Sequence, residues 1–427
     1  MVVVFGVDVG MFEVQQGGTT TVEADRTSRN GRPMATGSVS GLLRGPGQHR
    51  VAVLELFLDL VFVLAFFRLS QDLLTHLSWT GALQTLVLLL PVLYVWFSAA
   101  RFTGLFDPRH PLIELLIISI MFGILVVAAA TPEAFGRKGV FFAGAYVTLR
   151  FGAGAAVILV LRGQEAQVHA ARILFWAGVS AVAWIAGAFL YGWARMALWI
   201  PAAVVEYAGF VFGYPTPRLG RSSASRAELV TSQEHLAERY QQFFIIALGE
   251  PILVTGLTFA SGNFGASRIA ATLAGFATTA LVWRIYIHRA GKLLARAITA
   301  SHNLRRLAVL TIYAHVVMVA GVITIAVGDE LVIQHPLGHT YPAWIAVILG
   351  GPALFLAGRA TFEYAVFGRV SSPRVIGALV LVAITPAMRQ VPPLAVATIA
   401  AITLAGVAVA DAARTRRLPS EAPSPPG

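Results

Sequence analysis

Long apolar stretches separated by short polar segments make up most of this chain. A helix that crosses a lipid bilayer needs about 20 mostly apolar residues. Stretches that reach or approach this length lie at residues 51–76, 82–100, 111–131, 139–161, 170–192, 196–213, 240–260, 268–289, 306–327, 341–363, 374–388 and 391–411. The pattern predicts an all-α, polytopic transmembrane helix bundle of about twelve spans. The eleventh stretch is short and has Pro386 near its end. The alternative that the last two stretches form a re-entrant hairpin therefore stays open.

One long polar connection divides the apolar stretches into two groups of six. It covers residues 214–239 and is rich in Pro, Ser and Arg. We predict two six-helix halves at 50–213 and 240–411, joined by this cytoplasmic linker. The polar segments 1–49 and 412–427 are predicted to be disordered and cytoplasmic. Both halves would start on the same side of the membrane, so a 6+6 pseudo-repeat would be parallel; the sequence leaves open whether one exists.

The composition excludes a soluble globular domain. The chain is 57% hydrophobic and 12% charged, and its mean hydropathy is +0.73, whereas a soluble domain is about 25% charged. The formal net charge is +11, but the basic residues lie in short segments between apolar stretches instead of on one polar domain, so a nucleic-acid partner is not expected. The absence of cysteine excludes disulfides, thiolate metal sites and cysteine catalysis.

Basic residues are divided unevenly between the two sides of the predicted bundle. With the N-terminus placed inside, the connections assigned to the outside contain few of them: Arg137, Lys138, Arg195, Arg268 and Arg389. Lys and Arg accumulate in the cytoplasmic connections of membrane proteins. The bias therefore predicts an even number of spans, both termini in the cytoplasm, and a multi-pass location in the cell membrane.

Acidic residues within the apolar stretches are the most informative polar positions, because each costs at least about 2.5–3.5 kcal/mol to insert. Glu55 and Asp59 are four residues apart in the first stretch, so they share one helix face. Glu238, Gln242 and Glu250 are predicted to form one stripe at the seventh. By residue count, the acids at 59 and 250 are predicted to lie at comparable depths in the first helix of each half.

A glycine and a proline flank Glu250, as Gly249 and Pro251. A Gly-Glu-Pro sequence at membrane depth weakens the helical ladder and frees backbone carbonyls that can face a cavity. The alternative is that Glu250 only accepts or donates hydrogen bonds as a protonated acid.

Basic and aromatic residues in other stretches complete the set of candidates. Arg150 is near the middle of the fourth stretch, and Tyr313 and His315 lie in the ninth. One alternative is that Arg150 pairs with Glu55 and Asp59 only to fix helix packing. For His315 the alternative is a satisfied interhelical histidine.

Sequence motifs of soluble enzymes and of known channels are absent. The chain has no Walker A, HExxH, Gly-x-Ser-x-Gly or TVGYG sequence. We therefore expect no enzyme activity and no metal or cofactor. The expected partners are the lipid bilayer and a small ion or solute, and the oligomeric state stays open.

Two segments resemble the low-temperature-requirement A (LtrA) family of bacterial membrane proteins: ELFLDLVFVLAF in the first stretch and HLAERYQQFFIIALGEPILVTG around the seventh. The positions that match its motifs are Glu55, Asp59, His235, Glu238, Arg239, Gly249, Glu250, Tyr313, His315 and Pro336. Two places depart from the family pattern. Pro251 stands where Ser usually follows the Gly-Glu pair. In the eighth stretch, many members carry an aromatic-rich segment with an acid near its end, whereas this chain has Arg284 and His288. The resemblance implies a multipass membrane protein linked to growth in the cold, without fixing a molecular activity.

The leading hypothesis is a proton- or cation-coupled transporter or permeation protein that uses intramembrane acids. Its candidate pathway residues are Glu55, Asp59, Arg150, Glu238, Gln242, Glu250, Tyr313 and His315. One alternative is a non-transporting membrane factor that supports cold growth or senses lipids or partners. Another is an intramembrane enzyme acting on lipid through Glu and His acid–base pairs.

Overall fold

The structure is a computed structural model that describes Leu42 and residues 52–219, 233–288, 292–417 and 423–426. Nearly all of the predicted N-terminal disordered segment and half of the predicted linker lie outside these residues, and so does part of the predicted C-terminal tail.

Helices account for nearly all of the described chain, which contains no strand. Their bounds are α1 (Val53–Thr75), α2 (Trp79–Leu105), α3 (Pro111–Ala130), α4 (Gly139–Val160), α5 (Glu165–Ala188), α6 (Gly192–Phe212), α7 (Gln233–Ala247), α8 (Gly249–Ala260), α9 (Ala266–Tyr286), α10 (Lys292–Ala300), α11 (Leu304–Gln334), α12 (Pro342–Phe367), α13 (Ser372–Ile384) and α14 (Pro393–Arg417). Short 3₁₀ helices follow α3 (Thr131–Glu133) and α13 (Thr385–Gln390).

Eleven helical segments of the described chain are long and apolar enough to cross a membrane. They include α7 and α8 taken together as His235–Ala260, and α13 with its 3₁₀ extension as Ser372–Gln390. Helix α1 is not among them because it carries four charged residues, although it coincides with the first predicted span. The predicted all-α polytopic bundle is confirmed, whereas twelve spans and a pseudo-repeat stay predictions.

Helix α11 occupies the centre of the second half and packs along α12 with their backbones in contact. A Cβ added at Gly321 of α11 would lie 2.7 Å from the backbone nitrogen of Phe355. A Cβ added at Gly351 of α12 would lie 2.7 Å from the backbone nitrogen of Ile325. Only glycine permits this approach at either position, which is the usual way in which helices pack closely within membranes.

The seventh predicted span begins earlier than expected, and its regular hydrogen bonding is interrupted at one residue whose backbone stays helical. Helix α7 starts at Gln233, so the last seven residues of the predicted linker are helical, and the break falls at Leu248. Pro251 has no backbone N–H, so the carbonyl of Ala247 loses its usual intrahelical donor. The break expected from Gly249 and Pro251 is therefore present, one residue before the glycine.

The C-terminal helix also extends beyond the apolar pattern. Helix α14 continues to Arg417, so the first six residues of the predicted disordered tail, 412–417, are helical. The segment is AARTRR, and Ala and Arg are strong helix formers. Farther along, the backbone N–H of Ser424 donates to the carbonyl of Val366 at 3.1 Å.

Candidate functional site

The candidate residues are distributed over separate places in the bundle. Asp59 lies where α1, α2 and α7 meet, Glu250 lies against Ser70 of α1, and Arg150 lies against Tyr94 of α2. Arg150 is not the partner of Glu55 or Asp59, so that packing alternative is wrong. The candidate acids at positions 59 and 250 belong to two distinct clusters, and the arginine of α4 belongs to neither.

The Asp59 cluster consists of Glu55, Asp59, Trp96, His235 and Arg239. Arg239 donates from Nη1 to Asp59 Oδ2 at 2.8 Å and from Nη2 to Asp59 Oδ1 at 2.7 Å. The indole Nε1 of Trp96 donates to Asp59 Oδ1 at 2.9 Å. The side chains of the aspartate and the arginine are both 0% exposed. A bidentate Arg–carboxylate pair is among the strongest polar contacts in proteins, so it ties α7 firmly to α1.

The second acid of this cluster has its own partners. Glu55 Oε1 lies 3.1 Å from His235 Nε2, and its Oε2 accepts a hydrogen bond from the backbone N–H of Ala52 at 2.7 Å. Arg239 Nη1 also donates to the backbone carbonyl of Glu55 at 3.0 Å. Two acids spaced four apart on α1 thus face a histidine and an arginine spaced four apart on α7. This matching links α1 and α7 through a buried polar network, in which the Nε of Arg239 has no partner among the described residues.

The Glu250 cluster consists of Ser70, Glu250, Asp329 and Glu330. Glu250 is 0% exposed, and neither of its carboxyl oxygens has a hydrogen-bond partner among the described residues. The hydroxyl of Ser70 faces it, but its single proton is donated to the carbonyl of Phe67 at 3.0 Å. Glu250 is therefore a buried acid that makes no hydrogen bond of normal geometry with the described residues, and the Ser70 hydroxyl is the polar group that comes near it.

Two further acids lie within electrostatic reach of Glu250. Asp329 is buried, and its Oδ2 has no partner within the described chain. Glu330 accepts hydrogen bonds from Gln71 Nε2 at 2.7 Å and from Gln334 Nε2 at 3.0 Å. No basic side chain in the described ranges contributes to the electrostatics of Glu250. The cluster therefore holds excess acid without a compensating cation.

The two clusters lie at different depths, contrary to the prediction. Glu250 comes eleven residues after Arg239, and Ser70 comes eleven residues after Asp59. At 1.5 Å per residue, the Glu250 cluster is about 16 Å farther along the bundle. The predicted depths assumed that the seventh span begins at residue 240, but its helix begins at Gln233.

The remaining candidates make separate contacts. Glu238 is exposed and Gln242 is half-buried, so they do not share one buried stripe with Glu250. The hydroxyl of Tyr313 donates to the carbonyl of Tyr207 at 3.4 Å. The Nδ1 and Nε2 atoms of His315 each have a partner, the Thr311 carbonyl at 2.8 Å and the Tyr286 hydroxyl at 3.1 Å. His315 is thus the satisfied interhelical histidine of the alternative interpretation.

Metal-binding geometry is absent from the described part of the chain. No group of three or more His, Cys, Asp or Glu side chains there is placed to hold a metal ion. The acids of the Glu250 cluster are near enough to influence one another, yet they do not converge on one point. Their arrangement suits the binding of protons to individual carboxyl groups.

Several residues of both clusters were not among the sequence candidates. Arg239 was assigned to the linker, and Asp329 and Glu330 to the connection after the ninth stretch. The i, i+4 spacing of His235 and Arg239, which mirrors that of the acids on α1, was the available signal. No local signal pointed to Trp96 or Ser70 as carboxylate neighbours, because those contacts depend on tertiary packing.

Comparisons with known proteins identify a family and one curated relative. The model of the family described as bacterial low temperature requirement A protein (LtrA) matches residues 50–409. A relative from Rhizobium meliloti (strain 1021), described as uncharacterized protein RA0937, is 36% identical over 316 residues, which cover 73% of this chain and 76% of that protein. No solved structure matches the chain.

Proposed function

The chain belongs to the bacterial low temperature requirement A (LtrA) family, and we propose that it is a proton-coupled transporter or permeation protein in which Glu250 binds the proton. The observation that carries this proposal is the complete burial of Glu250 without a hydrogen-bond donor among the described residues. We further propose that both termini lie in the cytoplasm.

An isolated carboxylate inside a membrane protein is costly, and binding a proton removes its charge. Asp59 avoids this cost through Arg239, but Glu250 has no such partner. Its charge state therefore depends on whether water and protons reach it. Asp329, the second acid with an unpartnered oxygen, is the nearest candidate for passing the proton on.

The broken helix supports a role in movement. Glu250 lies in the first turn of α8, directly after the break at Leu248. Helix α8 packs against α1, α9 and α11, whereas α7 is held to α1 by the Asp59 cluster. Because Pro251 cannot donate a backbone hydrogen bond, the helix bends more easily at this point, so a change there can move Glu250 while the Asp59–Arg239 pair stays closed.

A proton is a better candidate than a metal cation. A hard cation such as Ca²⁺ takes about six to eight oxygen ligands around one point. The described residues offer no such convergence of acids. A single carboxyl group, in contrast, is sufficient to bind and release one proton.

The test is proton flux into liposomes that contain the purified protein and an entrapped pH-sensitive dye, driven by a potassium gradient with valinomycin. We expect flux with the wild type and a loss of about tenfold or more in Glu250→Gln, because the amide cannot carry the proton. Glu238→Gln is the matched control, since it makes the same change at an exposed position of α7. Flux in Glu250→Gln equal to that of the wild type, at equal protein content, would exclude Glu250 from the pathway.

A second measurement does not depend on knowing a co-transported solute. The infrared band of a protonated carboxylic acid reports Glu250 directly in the wild-type protein in nanodiscs. We expect part of that band to disappear in Glu250→Gln and to persist in Glu238→Gln. A spectrum unchanged by the substitution at position 250 would mean that this carboxyl does not hold a proton.

The second candidate function is a non-transporting membrane factor that supports growth in the cold. The buried Asp59–Arg239 pair favours it, because such a pair fixes helix packing. This function is tested in a bacterial host that lacks its own LtrA protein. The second function replaces the first if two results are obtained together: Glu250→Gln restores cold growth as well as the wild type does, and the wild-type protein shows no proton flux in liposomes.

A further inference from the structure

A large cavity lies in the first half of the bundle, away from both acid clusters. It has a volume of about 630 Å³ and is bounded by α2, α3, α4, α5 and the end of α6. Pockets that bind small molecules usually have volumes of about 300–1,000 Å³. Polar groups on its wall include Arg150, Arg101, His169 and the hydroxyls of Tyr94 and Tyr214, and most of the remaining wall is apolar.

Arg150 is a buried cation that has no hydrogen-bond acceptor among the described residues. Its guanidinium lies over the ring of Tyr94, 3.9 Å from the centroid, and its Nε has no partner among the described residues. The acid that attracts it electrostatically is Glu206, but this carboxylate already accepts from Tyr146 at 2.6 Å and from Ser180 at 2.8 Å. A guanidinium with its donors free is suited to a carboxylate or phosphate group.

Two other basic residues add donors to the same wall. Arg101 Nη2 lies 3.2 Å from His169 Nε2, and since arginine can only donate, that histidine nitrogen accepts. The proton of His169 is then on Nδ1, which is buried and has no partner within the described chain. Donors therefore exceed acceptors at this end of the cavity, which favours an anionic ligand.

The rest of the wall is suited to a hydrocarbon chain. Apolar side chains such as Phe102, Ile120 and Leu174 line it. Phe122 and Gly152 also line it and are exposed on the outer face of the helices. In a membrane-spanning bundle that face is in contact with lipid, so a ligand can enter sideways from the bilayer.

We propose that this cavity binds an amphiphile that has one anionic head group and an acyl chain, with the head group on Arg150. The chemistry is shared by an anionic phospholipid of the bilayer and a free fatty acid. The proposal does not depend on proton transport, because none of the residues of the two acid clusters lines the cavity.

The test is native mass spectrometry of the purified protein in a neutral detergent with four probes. These are phosphatidylglycerol, phosphatidylcholine with the same acyl chains, oleate and inorganic phosphate. We expect retention of phosphatidylglycerol or oleate, and which of the two is retained identifies the source of the ligand. We expect about tenfold weaker retention in Arg150→Gln, as for the loss of one charge-assisted contact. Retention of phosphatidylcholine equal to that of phosphatidylglycerol, without retention of oleate, would overturn the anionic head group. Inorganic phosphate competing as well as the amphiphiles would overturn the acyl chain.

A second variant tests the cavity without changing its charge. A Cβ added at Gly152 meets no atom within 4 Å, so Gly152→Phe is expected to fold and to occupy the space. Gly144 of the same helix also has open space around an added Cβ, but it does not line the cavity. We expect Gly152→Phe to lose the amphiphile and Gly144→Phe to retain it. Undiminished retention in both Arg150→Gln and Gly152→Phe would place the ligand elsewhere and overturn the proposal.

Discussion

Asp59 and Glu250 are both 0% exposed, but their surroundings differ. Asp59 receives three hydrogen bonds, two from Arg239 and one from Trp96. Glu250 receives none within the described chain and has two further acids in electrostatic reach. The comparison separates two reasons for keeping an acid inside a membrane protein. A fully paired acid fixes helices to each other, whereas an unpaired acid can bind a proton without breaking a contact that holds the fold.

The largest expected effect on stability comes from breaking the ion pair between Asp59 and Arg239. Arg239→Gln leaves Asp59 buried without its cation, so we expect the free energy of unfolding to fall by about 3–5 kcal/mol. The measurement is denaturation by sodium dodecyl sulfate in mixed micelles, followed by tryptophan fluorescence.

The control for this prediction is the double variant Asp59→Leu/Arg239→Met. Replacing a buried ion pair by apolar residues of similar volume is often nearly neutral, so the double variant is expected to be more stable than Arg239→Gln. A double variant that is destabilised by the sum of the two single changes would show that the pair is not coupled.

A smaller effect is expected when one donor to Asp59 is removed. Trp96→Phe keeps a ring at the position where Trp96 stacks on Phe243, with centroids 3.8 Å apart, but removes the indole N–H. A hydrogen bond to a charged group contributes about 1.5–3 kcal/mol. We expect a loss in that range in the same assay, and a loss below about 0.5 kcal/mol would mean that Arg239 alone satisfies the carboxylate.

Most of the fold follows from the hydrophobic pattern. The apolar stretches of about 20 residues appear as helices, and Gly249 and Pro251 correctly indicate a break in the seventh span. The pattern is less reliable where a helix buries polar residues. Helix α7 begins at Gln233 and α11 continues to Gln334, because these ends pack against other helices although their sequences are polar.

The clusters were harder to predict than the helices. Arg239 and Asp59 are 180 residues apart in sequence, and nothing local to either residue specifies the other. The acids were identified because a charge in an apolar stretch is unusual. Arg239 was named only as a position that matches the family motif, and Asp329 was not named, because both lie just beyond the ends of the apolar stretches, where charges are common. What distinguishes Glu250 from Asp59 is therefore visible only in three dimensions.

The smallest effect on stability is expected at the unpaired acid itself. Glu250→Gln exchanges a buried carboxyl group that lacks a donor for an amide of nearly the same shape, so no hydrogen bond is lost. We expect the free energy of unfolding to change by less than about 1 kcal/mol, while the same variant loses proton flux. A loss of about 3 kcal/mol or more would mean that Glu250 has a partner in the membrane and fixes the bundle as Asp59 does.

Ser70→Ala is the matched comparison on α1, because its hydroxyl already donates to the Phe67 carbonyl. If Ser70→Ala lowers stability but leaves proton flux unchanged, the hydroxyl acts on the helix and not on the acid. Stability retained with flux lost would separate Glu250 from Asp59 in function as clearly as their surroundings do in structure.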